Sequence, residues 1–381
     1  MRRFATLLGF ELKKIARGRG TLASLALCAA LLFGLTMLQY LDVRSDGRYA
    51  RAMAGRRVDD GFVAEVAEAA ARAGGLAAVP ADSPYYHAAR WMDRMLGSSM
   101  SIPGVTRSLP PDKLTAGALY AARDGIMDDL YGFFRLREDE KAWWAARERN
   151  IERPYIWVDS RAAAGMKANF SAVTALLCLL AGVCLAGTFA DERRRRTDAM
   201  VLCARHGRRM LWRVKLCAGE LWALVAGAAL LAAAQLPHIL INGLRGLDGA
   251  WQLVVPFSAY PHDIGTMLLM YLGLYGLICL LTGAVVMALS AWLQNTMAVT
   301  GVVGALVMAD LFISVPPRLR ALSQLRYLTP VQIMVNSAMA DPRLVVLFGR
   351  FMTPLQIAAL AYPLATLALF WLAGKGYGRM R

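Results

Sequence analysis

Across 381 residues the chain is 57% hydrophobic and only 18% charged, and its mean hydropathy is +0.41. This composition excludes an ordinary soluble enzyme, whose surface needs more charge, and defines an integral membrane protein. The net charge of +16 would suit nucleic acid, but it gathers at the N-terminus, in a stretch after Asp191 and in the C-terminal tail, so it reports membrane topology and no nucleic acid is expected.

Residues 1–20 come first. Phe4, Leu8, Leu12 and Ile15 recur at helical spacing, with Lys13, Lys14, Arg17 and Arg19 elsewhere, which predicts an amphipathic helix in the inner headgroup plane. A signal peptide is the competing reading of Arg2-Arg3, but Glu11, Lys13 and Lys14 interrupt where its apolar region would begin. Residues 21–40 are an apolar run of the length a bilayer core requires and form the first transmembrane helix. Residues 41–169 read as an extracytoplasmic helical domain, patterned by Phe62, Val66, Ala69, Ala70 and Ala73 and divided by Pro80, Pro84, Pro103, Pro110 and Pro111. One long last helix is expected from Pro111 towards Asn150, packing Leu119, Ile126, Leu130, Phe133, Phe134, Leu136, Trp143 and Trp144. None of the cysteines falls in this region, so it must fold without a disulfide framework.

Residues 170–381 are expected to supply five more transmembrane helices, at 170–190, 216–241, 265–292, 297–315 and 354–373. The fold class is therefore all-α, with six spans and both termini cytoplasmic. The turn at 293–296 is too short to leave the membrane surface. Segment 316–353 is expected outside, with the run Leu344 to Phe348 folding back into the outer leaflet, although Arg318, Arg320, Arg326, Arg343 and Arg350 make it basic. Between the second and third spans, loop 191–216 carries Arg193 to Arg196, Arg205, Arg208, Arg209, Arg213 and Lys215 against Asp191, Glu192 and Asp198. Such a loop is retained in the cytoplasm by the positive-inside rule. Within it Met200, Val201 and Leu202 form an apolar ridge suited to docking on a cytoplasmic partner.

This loop resembles the first cytoplasmic loop of permease subunits of type-2 ABC transporters, in which a Glu opens a run, Gly-Thr follows, and then come three apolar residues, a Pro, an Arg and a Lys. Glu192, Thr197, the ridge Met200, Val201 and Leu202, Arg208 and Lys215 fall in that register, whereas Arg196 stands in place of the usual Gly and Arg205 in place of a frequent Pro. The layout of the whole chain, and the stretch Leu328-Thr329-Pro330 before the last span, resemble a subgroup of these permeases with a large external insertion between spans 1 and 2. The resemblance implies a coupling helix at 197–207 seated in a groove of an ABC ATPase subunit, and ATPase-coupling roles for the seven positions just named. It also implies location in the inner (plasma) membrane and export of an amphipathic or hydrophobic substrate. The chain has no G-x-x-x-x-G-K-[ST] phosphate loop, so it is not expected to be an enzyme; ATP and Mg would be bound by the partner, with no cofactor or metal in this chain. Six spans make a thin bundle, which predicts pairing with a second permease chain, a copy of itself or a sister subunit.

Asp310 lies in the fifth span, where a central carboxylate costs about 2.5–3.5 kcal/mol on insertion scales, and is a possible pathway residue; standing two turns from Pro316, it is equally readable as a group near the outer interface. Glu220 reads as interfacial. Asp124, Asp128 and Asp129 have a metal-diphosphate spacing, but they sit among arginines on a mixed-charge helix and read as a solvated face. His87 and His262-Asp263 lack the partners of a metal site, and no G-x-S-x-G elbow is present. The alternative function is a membrane-anchored sensor or scaffold that uses the 41–169 domain.

Overall fold

Long apolar stretches free of charge can satisfy their backbone polar groups in a membrane only as helices, and helices account for almost all the regular structure. The computed structural model describes residues 2–42, 53–98, 105–194, 210–335 and 341–378. Helix α1 (Arg2–Ala16) leads into α2 (Arg19–Asp42). Four helices follow in a polar unit: α3 (Asp60–Ala73), α4 (Tyr86–Met95), α5 (Ala116–Phe133) and α6 (Glu138–Glu148). The bundle continues with α7 (Arg161–Cys184), α8 (Gly187–Arg194), α9 (Leu211–Asn242), α10 (Ile264–Leu293), α11 (Thr296–Phe312), the short α12 (Arg320–Tyr327) and α13 (Pro330–Met334). A hairpin of β1 (Val345–Leu347) and β2 (Arg350–Met352) precedes α14 (Pro354–Gly378).

Five helical stretches are long and apolar enough to cross a membrane: Gly20–Leu38, Arg161–Asp191, Leu211–Asn242, Ile264–Leu293 and Pro354–Tyr377. The chain is thus a mostly helical, multi-pass membrane protein. The remaining apolar helix, α11, has only 17 residues. At 1.5 Å per residue it rises about 25 Å, against about 45 Å for α10. The two are joined by Gln294 and Asn295 alone, Gln294 adopting φ 53° to close α10 and Asn295 accepting from the amides of Met297 and Ala298 to open α11. Helix α11 therefore stops far short of the other end of α10.

Helix α7 begins at Arg161, nine residues before the expected span start, so the polar unit ends near Ser160 and not at Asn169. Its entry and exit are zipped together: Val58 N donates to Tyr155 O at 2.8 Å, and Gly55 N to Trp157 O at 2.8 Å. Phe62 of α3, Trp91 of α4, and Tyr155 and Trp157 of the return segment pack as a buried aromatic core, with Leu119, Ile126 and Leu130 of α5 beside them. The single long helix expected after Pro111 is two. Arg135, at φ 53°, ends α5 while Leu136 N donates to Tyr131 O, and α6 restarts where Glu140 accepts from Arg137 N. The break buries Phe134 and Leu136 and turns Glu140 and Trp144 towards the 341–344 segment.

The polar unit is pinned to the bundle. Fully buried Arg123 donates to Pro256 O (2.7 Å) and Ser258 O (3.1 Å) in the α9–α10 connection, and Trp91 Nε1 donates to Gln252 O. Fully buried Glu140 accepts from Arg320 and from Leu344 N at 2.9 Å. Burial pushes the Glu140 carboxyl up, but Arg320 and the amides of Arg137 and Leu344 outweigh it and hold the group below its usual range. Arginines that make the 316–353 segment unusually basic are thus used internally: Arg320 on Glu140, and Arg343 on Asp341 and Ser323.

Candidate functional site

Two ends of the bundle differ chemically. At the basic end, α8 stops at Arg194 and α9 starts at Leu211, so the Arg-rich stretch emerges between them. Of the residues assigned to coupling, Thr197, Met200, Val201, Leu202 and Arg208 lie outside the described residues, and Glu192 is placed as part of α8. Lys215 is described and is fully buried. Its ammonium donates to Thr188 O at 2.7 Å, lies 3.8 Å from Glu11 of α1, and stands 5.5 Å from the Phe189 ring centroid. Phe189 in turn meets Tyr377 near the end of α14, with ring centroids 5.8 Å apart. Helix α1, the roots of the basic stretch and the C-terminal helix therefore converge at one end, and Lys215 ties them together from inside.

Across the tight turn at Gln294 and Asn295, Asp310 comes level with Leu281 and Thr282 in the middle of α10 and with Cys178 of α7, and with these it lines an apolar cavity of ≈ 240 Å³ between α7, α10, α11 and α13. Segment 316–335, read from sequence as external, folds back over this cavity. Thr329 Oγ donates to Asp310 Oδ1 at 2.6 Å, Arg326 donates to the Asp310 carbonyl, and Tyr362 of α14 donates to Leu328 O at 2.8 Å. All four of Val331, Gln332, Ile333 and Met334 are buried. Among the described residues the carboxylate is the one charged group of the cavity wall, and through Thr329 it holds the start of α13.

Glu220, read from sequence as interfacial, is buried inside the protein. It lies nine residues into α9, is 7% exposed, and neither carboxylate oxygen has a hydrogen-bond partner. A second polar set bridges α2, α7 and α9: Asn169 Nδ2 donates to Thr36 Oγ (3.2 Å) and Ala234 O (3.0 Å) and lies 2.9 Å from His238 Nε2. In sequence these residues are scattered over more than two hundred positions. Only the rule that polar groups inside spans are functional by default would have flagged them.

In the polar unit, Asp124 is bound by Arg153 and Arg123, and Asp129 by Arg107, so the spaced aspartates are divided among arginines. His87 has its Nε2 buried without a partner; burial and the nearby Arg161 push its pKa down to about 4, which keeps the ring neutral. Among the described residues no group of three or more His, Cys, Asp or Glu side chains gathers to hold a metal. Compared with known proteins, the chain matches no protein-family model, no curated protein and no solved structure.

Proposed function

We propose that this chain is the transmembrane permease subunit of an ABC exporter in the inner (plasma) membrane, powered by a separate ATPase subunit that binds ATP and Mg. The observation that carries the reading is the convergence at the basic end: α1, the roots of the Arg-rich stretch and the end of α14 meet around buried Lys215. The positive-inside rule supports a cytoplasmic position for that end, and with it both termini inside and the 53–160 unit outside. Helix α11 completes six spans, the fifth being a short one that ends within the membrane under α12 and α13. Met200, Val201 and Leu202 form the ridge that enters the ATPase, with Glu192, Thr197 and Arg208 around it, while Lys215 acts from inside by holding the root of the loop. Two such chains pair, and the mid-membrane cavity beside Asp310 suits an apolar moiety of the cargo.

Copurification of an ABC ATPase with this chain from native membranes tests the reading. The wild-type chain is expected to bring the ATPase with it, and Leu202→Asp to release it, since a charge in an apolar docking ridge is buried without a partner. If no ATPase binds the wild type, the proposal fails, and a sensor or scaffold built on the 53–160 unit takes its place.

A further inference from the structure

Glu220 is the most exceptional charged group in the bundle. Both of its oxygens are buried and unpartnered in a membrane-spanning helix, and the facing helix makes room for them: a Cβ added at Gly283 of α10 would lie 2.9 Å from each carboxylate oxygen. Nearby Lys215 does not neutralise it, being committed to Thr188 and Glu11. An unpaired carboxylate in low dielectric is costly, and with no partner on it among the described residues the group calls for a proton or a cationic ligand.

The surroundings of Glu220 distinguish these two. One helical turn along each helix, at Leu224 and Cys279, begins an open groove of ≈ 400 Å³ between α9 and α10. It follows Leu224, Ala228, Leu231 and Gln235 on one wall and Cys279, Tyr275 and Leu272 on the other. Leu224 and Leu272 are exposed, so it opens towards the lipid. Glu220, Leu224, Ala228, Leu231 and Gln235 share one face of α9, and the stretch from Leu224 to Gln235 spans about 16 Å, roughly a dodecyl chain in length. Among the described lining residues Gln235 leaves an acceptor, Oε1, without a partner, and the unpartnered Glu220 oxygens belong to the residue one turn beyond the groove's other end. A bare proton would satisfy Glu220 without any use for the groove. A ligand carrying N–H donors, positive charge and an aliphatic chain satisfies both.

We propose that Glu220, Gly283 and the α9–α10 groove form a binding site for an alkylammonium amphiphile, its chain lying along the groove and its ammonium on the Glu220 carboxylate. As the class of cargo this rests on the exporter reading. Binding itself does not, so the test uses the full-length chain without any ATPase, and loss of ATPase docking and loss of amine preference remain separate results.

The probe is dodecylamine carrying a terminal diazirine, photolysed with the chain in phosphatidylcholine nanodiscs and mapped by peptide mass spectrometry. Label is expected on the peptides spanning Leu224 to Gln235 and Leu272 to Cys279. Dodecylammonium should displace it about tenfold better than dodecanol, the margin of one paired charge at 1.4 kcal/mol. Glu220→Gln should bring the two competitors together, and Gly283→Ala, which pushes the carboxylate from its slot, should do the same. Equal displacement by amine and alcohol on the wild type means that the groove holds any hydrocarbon and overturns the proposal. So does label outside the groove, a cross-link from the groove to a second copy, or a Glu220→Gln chain that still prefers the amine. If Glu220→Gln does not fold, the wild-type comparison decides alone.

Discussion

Replacing Arg123 by methionine should loosen the joint between α5 and the α9–α10 connection, while the ties through Trp91, Trp144 and Glu140 remain. Arg123 makes two kinds of contact, and only one is irreplaceable. Its pairs with Asp124 and Glu148 are duplicated by Arg153, which reaches the same carboxylates at 2.8 and 3.1 Å, so neither acid is stranded. Its bonds to Pro256 O and Ser258 O are what join α5 to the α9–α10 connection, and Ser258 O keeps a second donor in Gln252 Nε2 at 3.0 Å. The full penalty thus falls on Pro256 O, with a partial one at Ser258 O. Charged hydrogen bonds are worth about 1.5–3 kcal/mol each, which makes the expected loss about 2–4 kcal/mol; methionine retains the apolar stem, so little of this is packing. Hydrogen exchange of the nanodisc-embedded chain, followed by mass spectrometry, reads it directly. Protection in α5 and in residues 251–260 should fall by about one and a half to three orders of magnitude together, while Asp128→Asn, exposed on the same helix, changes neither. If α5 loosens and 251–260 does not, or if both exchange at the wild-type rate, Arg123 is not the tie and the argument fails.

Three further outcomes follow from named contacts. Asp310→Ala removes the acceptor that holds Thr329, so in a variant whose sole cysteine is Cys178 maleimide labelling should accelerate, whereas Asp310→Asn, which keeps an acceptor, should stay near wild type; equal rates in all three would show that the bonds to the Asp310 carbonyl and packing hold α13 without the carboxylate. Gly165→Ala puts a Cβ 2.2 Å from the His238 ring, an overpacking expected to cost about 1–3 kcal/mol, and an unchanged thermal midpoint would mean that α7 and α9 separate freely there. Glu140 is depressed in the folded chain, so its stabilisation is present above its unfolded pKa of 4.5 and is lost as pH falls through the lower folded value. Protection of α6 should therefore decline below about pH 4.5 in the wild type and much less in Glu140→Gln; the same decline in both would place the acid sensitivity elsewhere.

The parts legible in sequence were those governed by one-dimensional rules. Span lengths, the amphipathic N-terminal helix and the tight turn at Gln294-Asn295 follow from apolar runs and periodicity, and the observed helices agree to within a few residues at most ends. What was not legible depended on partners distant in sequence. Helix α11 looked like an ordinary span because Ile313 and Val315 extend its apolar run; its end after Phe312 is set by Arg326, Thr329 and Gln332 gripping Asp310 from the next segment. The basic character of 316–353 looked anomalous for the same reason, since Arg320 finds its acid 180 positions away at Glu140. The burial of Glu220 was not legible either, because nothing in its own helix marks a slot that a glycine on α10 provides.

These ties bear on how movement at the basic end would reach the far end. Lys215 stands near the start of α9, and the connection beyond the other end of α9 carries Pro256 and Ser258, to which Arg123 is bonded; α9 itself is about 48 Å of helix with its interior Pro237 near the far end. A displacement of the loop root would then carry α9 and the 53–160 unit as one body, with α1 joined to it through Glu11. Lys215→Met separates docking from transmission. Without the ammonium, Thr188 O loses its donor and Glu11 is left in a half-buried position with Lys14 at 3.9 Å as its nearest cation among the described residues. On the proposed exporter reading, an ATPase partner should still copurify, because Met200 to Leu202 are untouched, but its hydrolysis should no longer respond to this chain, and α1 should become protease-sensitive in inside-out vesicles. Loss of copurification would make Lys215 a docking residue after all. Retained stimulation with a protected α1 would show that the buried ion pair transmits nothing.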